Sequence, residues 1–202
     1  MRLEKYIKEE LNTNYIYDVA KILQRDCKQI IKEVKRAGDF LYRGTTEKKF
    51  DGLISKPITP RKNRKAAYIS NKLHTMMDDV LYQIFGWAPR SEGLFCGNRG
   101  ITQSFGNKVH LVFPIGNFKY IWNNVDDLWN DFFDTKHDPY YDDEDEAPSE
   151  LVDELEKYKD KNLYKCLDPK RFNDRMECIV NCKSYYLVVN NEGTRDTLLK
   201  VF

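Results

Sequence analysis

The stretch Phe40-Leu41-Tyr42-Arg43-Gly44-Thr45 constrains the chain most. Three apolar or aromatic residues run straight into an arginine, a glycine and a hydroxyl. A short apolar run bounded by polar residues suits a buried strand. An arginine at the end of such a strand packs poorly but is well placed to reach into a cleft. The glycine beside it lets a ligand come close to the backbone. Two readings follow: the floor of a nucleotide pocket, or an edge strand whose arginine makes a surface ion pair.

Further short strands are expected at Arg90–Gly97, Val109–Phe113, Phe118–Trp122, Glu177–Val180 and Tyr185–Val189. The last two read as a pair joined by a turn over Asn181–Ser184, and Thr197–Phe202 reads as a final strand. Glycine-punctuated strands of this kind, with a turn and short helix over Asn98–Gly106, predict a mixed, mostly antiparallel sheet in an α+β fold rather than a doubly wound one. No GxGxxG or GxxxxGK[ST] occurs, so neither a Rossmann nor a P-loop site is indicated.

Helices frame these strands. Met1–Leu11 reads as a short helix, and Asn14 caps a longer one whose apolar face runs from Ile16 to Val34 and stops at Gly38. Residues 1–38 are thus expected as helices packed on a main domain of residues 39–202, in a single globular unit. Ser70–Gly86 carries the clearest helical period: Leu73, Met76, Met77, Val80, Leu81, Ile84 and Phe85 share a face, Ser70 caps and Gly86 stops. His74 beside that face reads as a packed histidine. Asn124–Phe133 also looks helical, and Ser149 opens a charged helix to about Lys159.

Two stretches read as loops. Lys56–Lys65 holds Pro57, Pro60, Arg61, Lys62, Arg64 and Lys65, a mobile basic loop able to touch phosphates or simply solvated. Asp138–Glu146 has six acidic residues in nine and reads as a solvated or disordered insert.

Charge is balanced, with 33 basic and 32 acidic residues in 202, which gives no global excess for nonspecific nucleic-acid binding. The opening Met1-Arg2-Leu3-Glu4-Lys5 reads as charged and amphipathic rather than as a leader. No uncharged apolar run approaches the ~18 residues of a membrane span. Five scattered cysteines fit a reduced, cytoplasmic protein. Cys178 and Cys182 lack the spacing of a zinc site and read as buried thiols, so no metal is expected.

Three separated pieces now line up: Arg43-Gly44-Thr45, then Gly93-Leu94-Phe95 with Ser104-Phe105 behind it, then Glu177 ahead of Cys178-Ile179-Val180. In that order, over Phe40–Val189, they resemble the ADP-ribosyltransferase family, which includes the catalytic domain of poly(ADP-ribose) polymerases and bacterial toxins. The resemblance implies a split sheet of that family's type and NAD as co-substrate. It implies Arg43, Gly44, Thr45, Phe95, Ser104 and Phe105 as cofactor-binding residues, with Phe95 and Phe105 sandwiching the nicotinamide ring. Arg43 would grip the pyrophosphate or ribose, and Glu177 would stabilise positive charge at the ribose carbon. An ordinary salt bridge to Arg175 or Lys183 is the alternative for Glu177. Some subfamilies place Glu or Gln two residues before this glutamate; here Arg175 stands there, and the family's Ser-Thr-Ser is missing.

The expected function is therefore NAD-dependent transfer of ADP-ribose to a macromolecular acceptor (RNA, DNA or protein), with Arg61 and Arg64 touching the acceptor. Stacking plus phosphate contacts tilt the choice towards nucleic acid. The expected setting is a toxin or effector of a bacterial or phage conflict system, with an antitoxin or inhibitor protein as a further partner and no membrane. A non-catalytic NAD- or partner-binding module on the same fold is the rival reading.

Overall fold

The structure is a computed structural model that describes residues 2–45, 52–65, 70–100, 108–124, 147–174 and 176–202, without the side chains of residues 2–13 and 172–174. In chain order the elements are α1 (Arg2–Asp26), α2 (Lys28–Ala37), β1 (Tyr42–Thr45), α3 (Asn71–Phe85), α4 (Pro89–Glu92), β2 (Leu94–Gly97), β3 (Lys108–Pro114), β4 (Lys119–Asn123), α5 (Ser149–Leu155), β5 (Glu177–Asn181), β6 (Tyr185–Val189) and α6 (Glu192–Val201). The six strands form one open sheet in the order β4-β5-β2-β1-β3-β6, and every pairing is antiparallel. The α+β class and the antiparallel sheet agree with the sequence reading.

The sheet has a weak seam. β1 meets β3 over four residue pairs, and β2 meets β5 over four, but β1 and β2 register only at Tyr42↔Gly97. Connectivity shows that the sheet is not flat between β5 and β6, and the single-pair seam is the weakest pairing between them. From Asn181 at the end of β5 to Tyr185 at the start of β6 the chain advances four residues, a reach of at most about 14 Å. β5 and β6 lie four strand spacings apart in the sheet order, about 19 Å in a flat sheet. The two halves, β4-β5-β2 and β1-β3-β6, must therefore fold towards each other. This also corrects the expectation of a β5–β6 hairpin: β5 pairs with β4 and β2, and β6 pairs with β3.

Both faces of the β4-β5-β2 half are covered. Cys96, Trp122, Cys178 and Val180 join the main core with α1, α2 and the β1-β3-β6 half. Phe95, Ile121 and Ile179, on the opposite face, pack with Leu73, Met77 and Leu81 of α3, Leu151 and Leu155 of α5, and Tyr158. α3 forms as its sequence dictates. The Ser70 hydroxyl accepts the Leu73 N–H at 3.1 Å, and Gly86 ends the helix at φ 70°. Ile84, expected on the buried face, is exposed instead. His74 is buried, with burial holding its pKa below the ordinary histidine value against the pull of Asp78.

Other elements depart from expectation for local reasons. α1 runs through Asn14, where no glycine or proline interrupts it, and the break falls at Cys27. There the Asp26 carbonyl is diverted to the Gly116 N–H of the β3–β4 turn (2.8 Å), and the Tyr186 hydroxyl bonds the Asp26 carboxylate (2.9 Å). Arg90–Glu92 belongs to a helical turn, so strand structure begins only at Leu94. The helix opened by Ser149 stops at Leu155, and Lys159 bridges to Trp122 on the edge of β4. Residues 197–201 are helical, because Asn191 caps Thr194 N–H at 2.8 Å and starts α6. The expected elements over Asn98–Gly106 and Asn124–Phe133 lie wholly or mostly outside the described residues, and the acidic insert Asp138–Glu146 lies wholly outside them.

The proline-rich segment is not free in solvent. Its first part runs along β6, with Val189 N–H to Leu53 C=O, Ser55 N–H to Leu187 C=O, and Ile58 and Tyr185 exchanging both backbone bonds. Its far end is tied to α4 by Arg64 N–H to Ser91 C=O (3.2 Å). The segment is thus a strap between the two half-sheets. All five cysteines are buried and unbridged, with burial pushing Cys27, Cys96 and Cys182 up to about 12.

Gly93 is the residue that lets α4 run into β2. A Cβ there would lie 2.1 Å from Ile179 Cγ2 and 2.3 Å from the Pro89 carbonyl oxygen. Gly93→Ala is therefore expected to cost about 1–3 kcal/mol in urea denaturation. Gly193→Ala, whose nearest contact is an ordinary 3.6 Å, is expected to be neutral or slightly stabilising. Equal stabilities for the two variants would contradict this packing.

Candidate functional site

The seam places the site. In β1, Leu41 C=O accepts the Val112 N–H of β3 at 2.8 Å. Alternation along an antiparallel strand then turns the backbone groups of Arg43 and Thr45 to β3, and those of Tyr42 and Gly44 to β2. Tyr42 meets Gly97, but pairing ends there. Phe95 would come opposite Gly44 if the register continued. Instead, the Phe95 carbonyl accepts a hydrogen bond from Arg43 Nη1 at 2.5 Å. The Gly44 N–H and C=O consequently face the seam between the half-sheets. Thr45 is buried, and its hydroxyl lies 3.4 Å from His110 Nδ1 on β3.

Across the seam, Phe95 pairs with Ile179 and Gly97 with Glu177, so Phe95 and Glu177 stand two residues apart on one face of β4-β5-β2. Glu177 is buried, and Tyr158 donates to its Oε1 at 2.7 Å. A buried carboxylate needs such a partner, because desolvation otherwise drives it to protonate. Tyr158 is delivered by its neighbour: Lys159 and Trp122 exchange both backbone hydrogen bonds at 2.9 Å, and Trp122 Nε1 donates to Lys161 C=O. Asn98 fixes the approach to β5. Its amide oxygen accepts Met176 N–H, its Nδ2 donates to Arg171 C=O, and its own N–H donates to Met176 C=O. Asn123, opposite Glu177 on β4, is buried, and its Nδ2 has no hydrogen-bond partner.

Two more arginines complete the setting. Arg64 of the strap lies over the Phe95 ring, 4.4 Å from its centroid, and reaches the Gly93 carbonyl at 3.4 Å. Arg90 lies 5.4 Å from the same centroid, within cation–π range. Asp78 of α3 sets Arg90 in place by accepting the backbone N–H groups of Arg90 (2.7 Å) and Ser91 (2.9 Å), which caps α4. Burial lowers the Arg64 pKa, and the charges of Arg43 and Arg90 lower it further; Cys96 and Glu177 pull it back up. Arg64 thus lies in the field of both Arg43 and Glu177.

Of the residues singled out from the sequence, Arg43, Gly44 and Phe95 meet at the seam, with Glu177 one step along the same face as Phe95. Ser104 and Phe105 lie outside the described residues, as does Arg175. Arg61 is exposed, as a solvated loop residue would be. Arg64 is not: it turns inward onto Phe95. Tyr158, Asn98, Asp78 and Arg90 escaped the sequence reading. The only signal for Tyr158 is an isolated aromatic within the charged run Glu154–Lys161.

Among the described residues no group of three or more His, Cys, Asp or Glu side chains is placed to hold a metal ion, and no helix is long and apolar enough to cross a membrane. A groove of about 350 Å³ between α2 and α6, lined by Val34, Lys35, Gly38, Leu199 and Phe202, is built from none of the residues at the seam. Comparison of the chain with protein-family models, curated proteins and solved structures finds no match.

The Tyr158–Glu177 bond yields a direct expectation. Tyr158→Phe removes a hydrogen bond to a buried carboxylate, worth about 1.5–3 kcal/mol. The variant should unfold at correspondingly lower urea concentration. In the Glu177→Gln background, where a neutral amide replaces the ion, the same substitution should cost less. Equal costs in the two backgrounds would mean that the tyrosine does not serve the carboxylate.

Proposed function

We propose that the chain is an NAD-dependent ADP-ribosyltransferase that modifies a macromolecular acceptor. One observation carries this reading: the Arg43 guanidinium and the seam-facing Gly44 backbone meet Phe95 where the two half-sheets part, and the buried Glu177 carboxylate stands two residues from Phe95 on the same face of the sheet. The bent antiparallel sheet with a single pair at its centre supports a split sheet of the ADP-ribosyltransferase type.

Each group has a task that suits its place. Gly44 offers one donor and one acceptor in line, the complement of a carboxamide. Phe95 offers a ring face for the nicotinamide. Arg43 serves the ribose or pyrophosphate. In the reaction the bond between the ribose anomeric carbon and the nicotinamide nitrogen breaks, and its electron pair leaves with neutral nicotinamide. A lone pair of the acceptor forms the new bond to that carbon, and the acceptor's proton passes to a base. Glu177 lies against the developing positive charge and stabilises it, and it can orient the acceptor or take its proton. Tyr158 holds the carboxylate in position. Lys56, Arg61, Lys62 and Lys65 remain exposed along the strap, which favours a nucleic-acid acceptor over protein. Such an activity fits a toxin or effector restrained by an inhibitor protein.

A second reading has its own support. Arg64 lies over one face of the Phe95 ring and closes that face to a stacking nicotinamide, as expected of a module that binds a nucleotide or a partner without transfer. Labelled NAD, cell extract and the purified chain separate the two. Transfer predicts label on wild type and at least about a 10²-fold loss in Glu177→Gln, with NAD affinity and fold retained. NAD binding without label in either protein would reject transfer. Nuclease or protease digestion of the labelled material then identifies the acceptor.

A further inference from the structure

We propose that the outer face of α2, together with the groove at its end, docks a partner protein through an acidic segment that carries one large apolar side chain. α2 is strongly one-sided. Ile30, Ile31 and Val34 are buried, while Lys28, Lys32 and Lys35, spaced four and three apart, share an exposed stripe. The helix holds four cations and one anion, a net charge of +3 in a chain whose total is +1. Its one acid is engaged: Glu33 accepts the Tyr164 N–H at 2.9 Å and stands 4.0 Å from Arg36, whose guanidinium lies over the Tyr164 ring. Asp26, just ahead of the helix, is bonded to Arg25 and Tyr186. Asp39, just beyond it, accepts the Phe40 N–H and the Tyr42 hydroxyl. α6, on the other side of the groove, is balanced, with Glu192 and Asp196 against Arg195 and Lys200. Among the described residues none of Lys28, Lys32 and Lys35 has an ion-pair partner.

A run of exposed lysines is by itself a solvated face; the groove gives this one a direction. It holds about 350 Å³ between Val34, Gly38, Leu199 and Phe202, and Lys35 belongs both to its lining and to the stripe. Phe202 is braced edge-on against Phe40 and Phe113, with centroids 6.5 and 6.0 Å away, so that wall is fixed. Gly38 ends α2 at φ 78°. Among the described residues, its chain neighbours aside, no atom lies within 4 Å of the place a Cβ would take there, which keeps that end of the groove open. The stripe runs about 10 Å along the helix axis. An extended peptide sets alternate side chains about 7 Å apart, so carboxylates on alternate residues meet the stripe and a following apolar side chain reaches the groove. Burial of that side chain supplies affinity, and the lysines set approach and orientation. A concave apolar wall suits this partner better than a membrane, which is entered by protruding apolar side chains. It also suits it better than nucleic acid, whose bases stack on exposed rings, and α2 carries none. No seam residue takes part, so the surface goes beyond the transferase reading and stands or falls apart from it.

The test uses the full chain and a fluorescent peptide with three alternate glutamates followed by one phenylalanine, read by anisotropy at low and at physiological salt. Wild type is expected to bind it, less tightly as salt rises. Replacing the peptide's phenylalanine by alanine, or its glutamates by glutamine, should weaken binding about tenfold or more. Lys32→Glu combined with Lys35→Glu in the protein should do the same. Leu199→Asn should weaken the phenylalanine peptide and leave the alanine peptide unchanged. Lys108→Glu, the same charge change at the exposed start of β3, should alter neither. No binding by wild type overturns the proposal, as does equal binding by the double lysine variant. An oligonucleotide or an anionic vesicle that takes the lysine stripe in place of the peptide also overturns it. Tighter peptide binding once Asp138–Glu146 is exchanged for a neutral linker of equal length would assign the surface to the chain's own acidic segment and reject an external partner. If the double variant fails to fold, Lys32→Gln with Lys35→Gln gives the same contrast.

Discussion

The structure depends on a ladder that stops after one rung. Between β1 and β2 only Tyr42↔Gly97 is in register, and the next opportunity for a backbone bond is taken by a side chain. Arg43 Nη1 occupies the Phe95 carbonyl. That substitution satisfies a half-buried acceptor that the interrupted ladder leaves without a backbone partner. It also leaves the Gly44 backbone turned towards the seam and outside the β1–β2 ladder. A glycine at that point offers ligand access without a side chain in the way. The bend of the sheet, the approach of the two half-sheets and the release of the Gly44 backbone from the β1–β2 ladder are three results of the same interruption.

The remaining elements hold the two sides of the seam in place. On one side, β3 and the β6–strap pairing fix β1 and Thr45. On the other, α3 fixes α4 through Asp78, α4 runs into β2 through the tight turn at Gly93, and Asn98 ties the end of β2 to the start of β5. The strap spans both halves and carries Arg64 onto Phe95. Charge gathers here: Arg43, Arg90 and Glu177 each act on Arg64, and the buried Asp78 carboxylate caps the turn that carries Arg90. Local charge, rather than the net charge of +1, is what a ligand of this site would meet.

Much of this was legible in the sequence where the determinants are local. α3 with both its caps, the strand that ends in Arg43-Gly44-Thr45, and the buried thiols all follow from period, cap residues and composition. What was not legible is mostly non-local. Asn181–Ser184 reads as a hairpin turn because three or four polar residues between apolar runs usually make one. Only the bend at a distant seam turns it into a crossover. Thr197–Phe202 reads as a strand because six residues are too few to reveal a helical period, and the Asn191 cap that starts the helix lies ahead of that window. Arg64 reads as solvated among its basic neighbours; Ser91 and Phe95, some thirty residues away, draw it inward. Tyr158 comes to Glu177 only through the Lys159–Trp122 pairing, which no local pattern announces.

Residue-resolved hydrogen exchange at β1, with and without NAD, tests the interrupted ladder most directly. Arg43 donates its backbone N–H within the β1–β3 pairing, so its amide should be slow in both conditions. The Gly44 amide faces the seam and should exchange far faster in the free chain, then slow when NAD is added. A Gly44 amide already as protected as that of Arg43, or one that NAD leaves unchanged, would contradict the account.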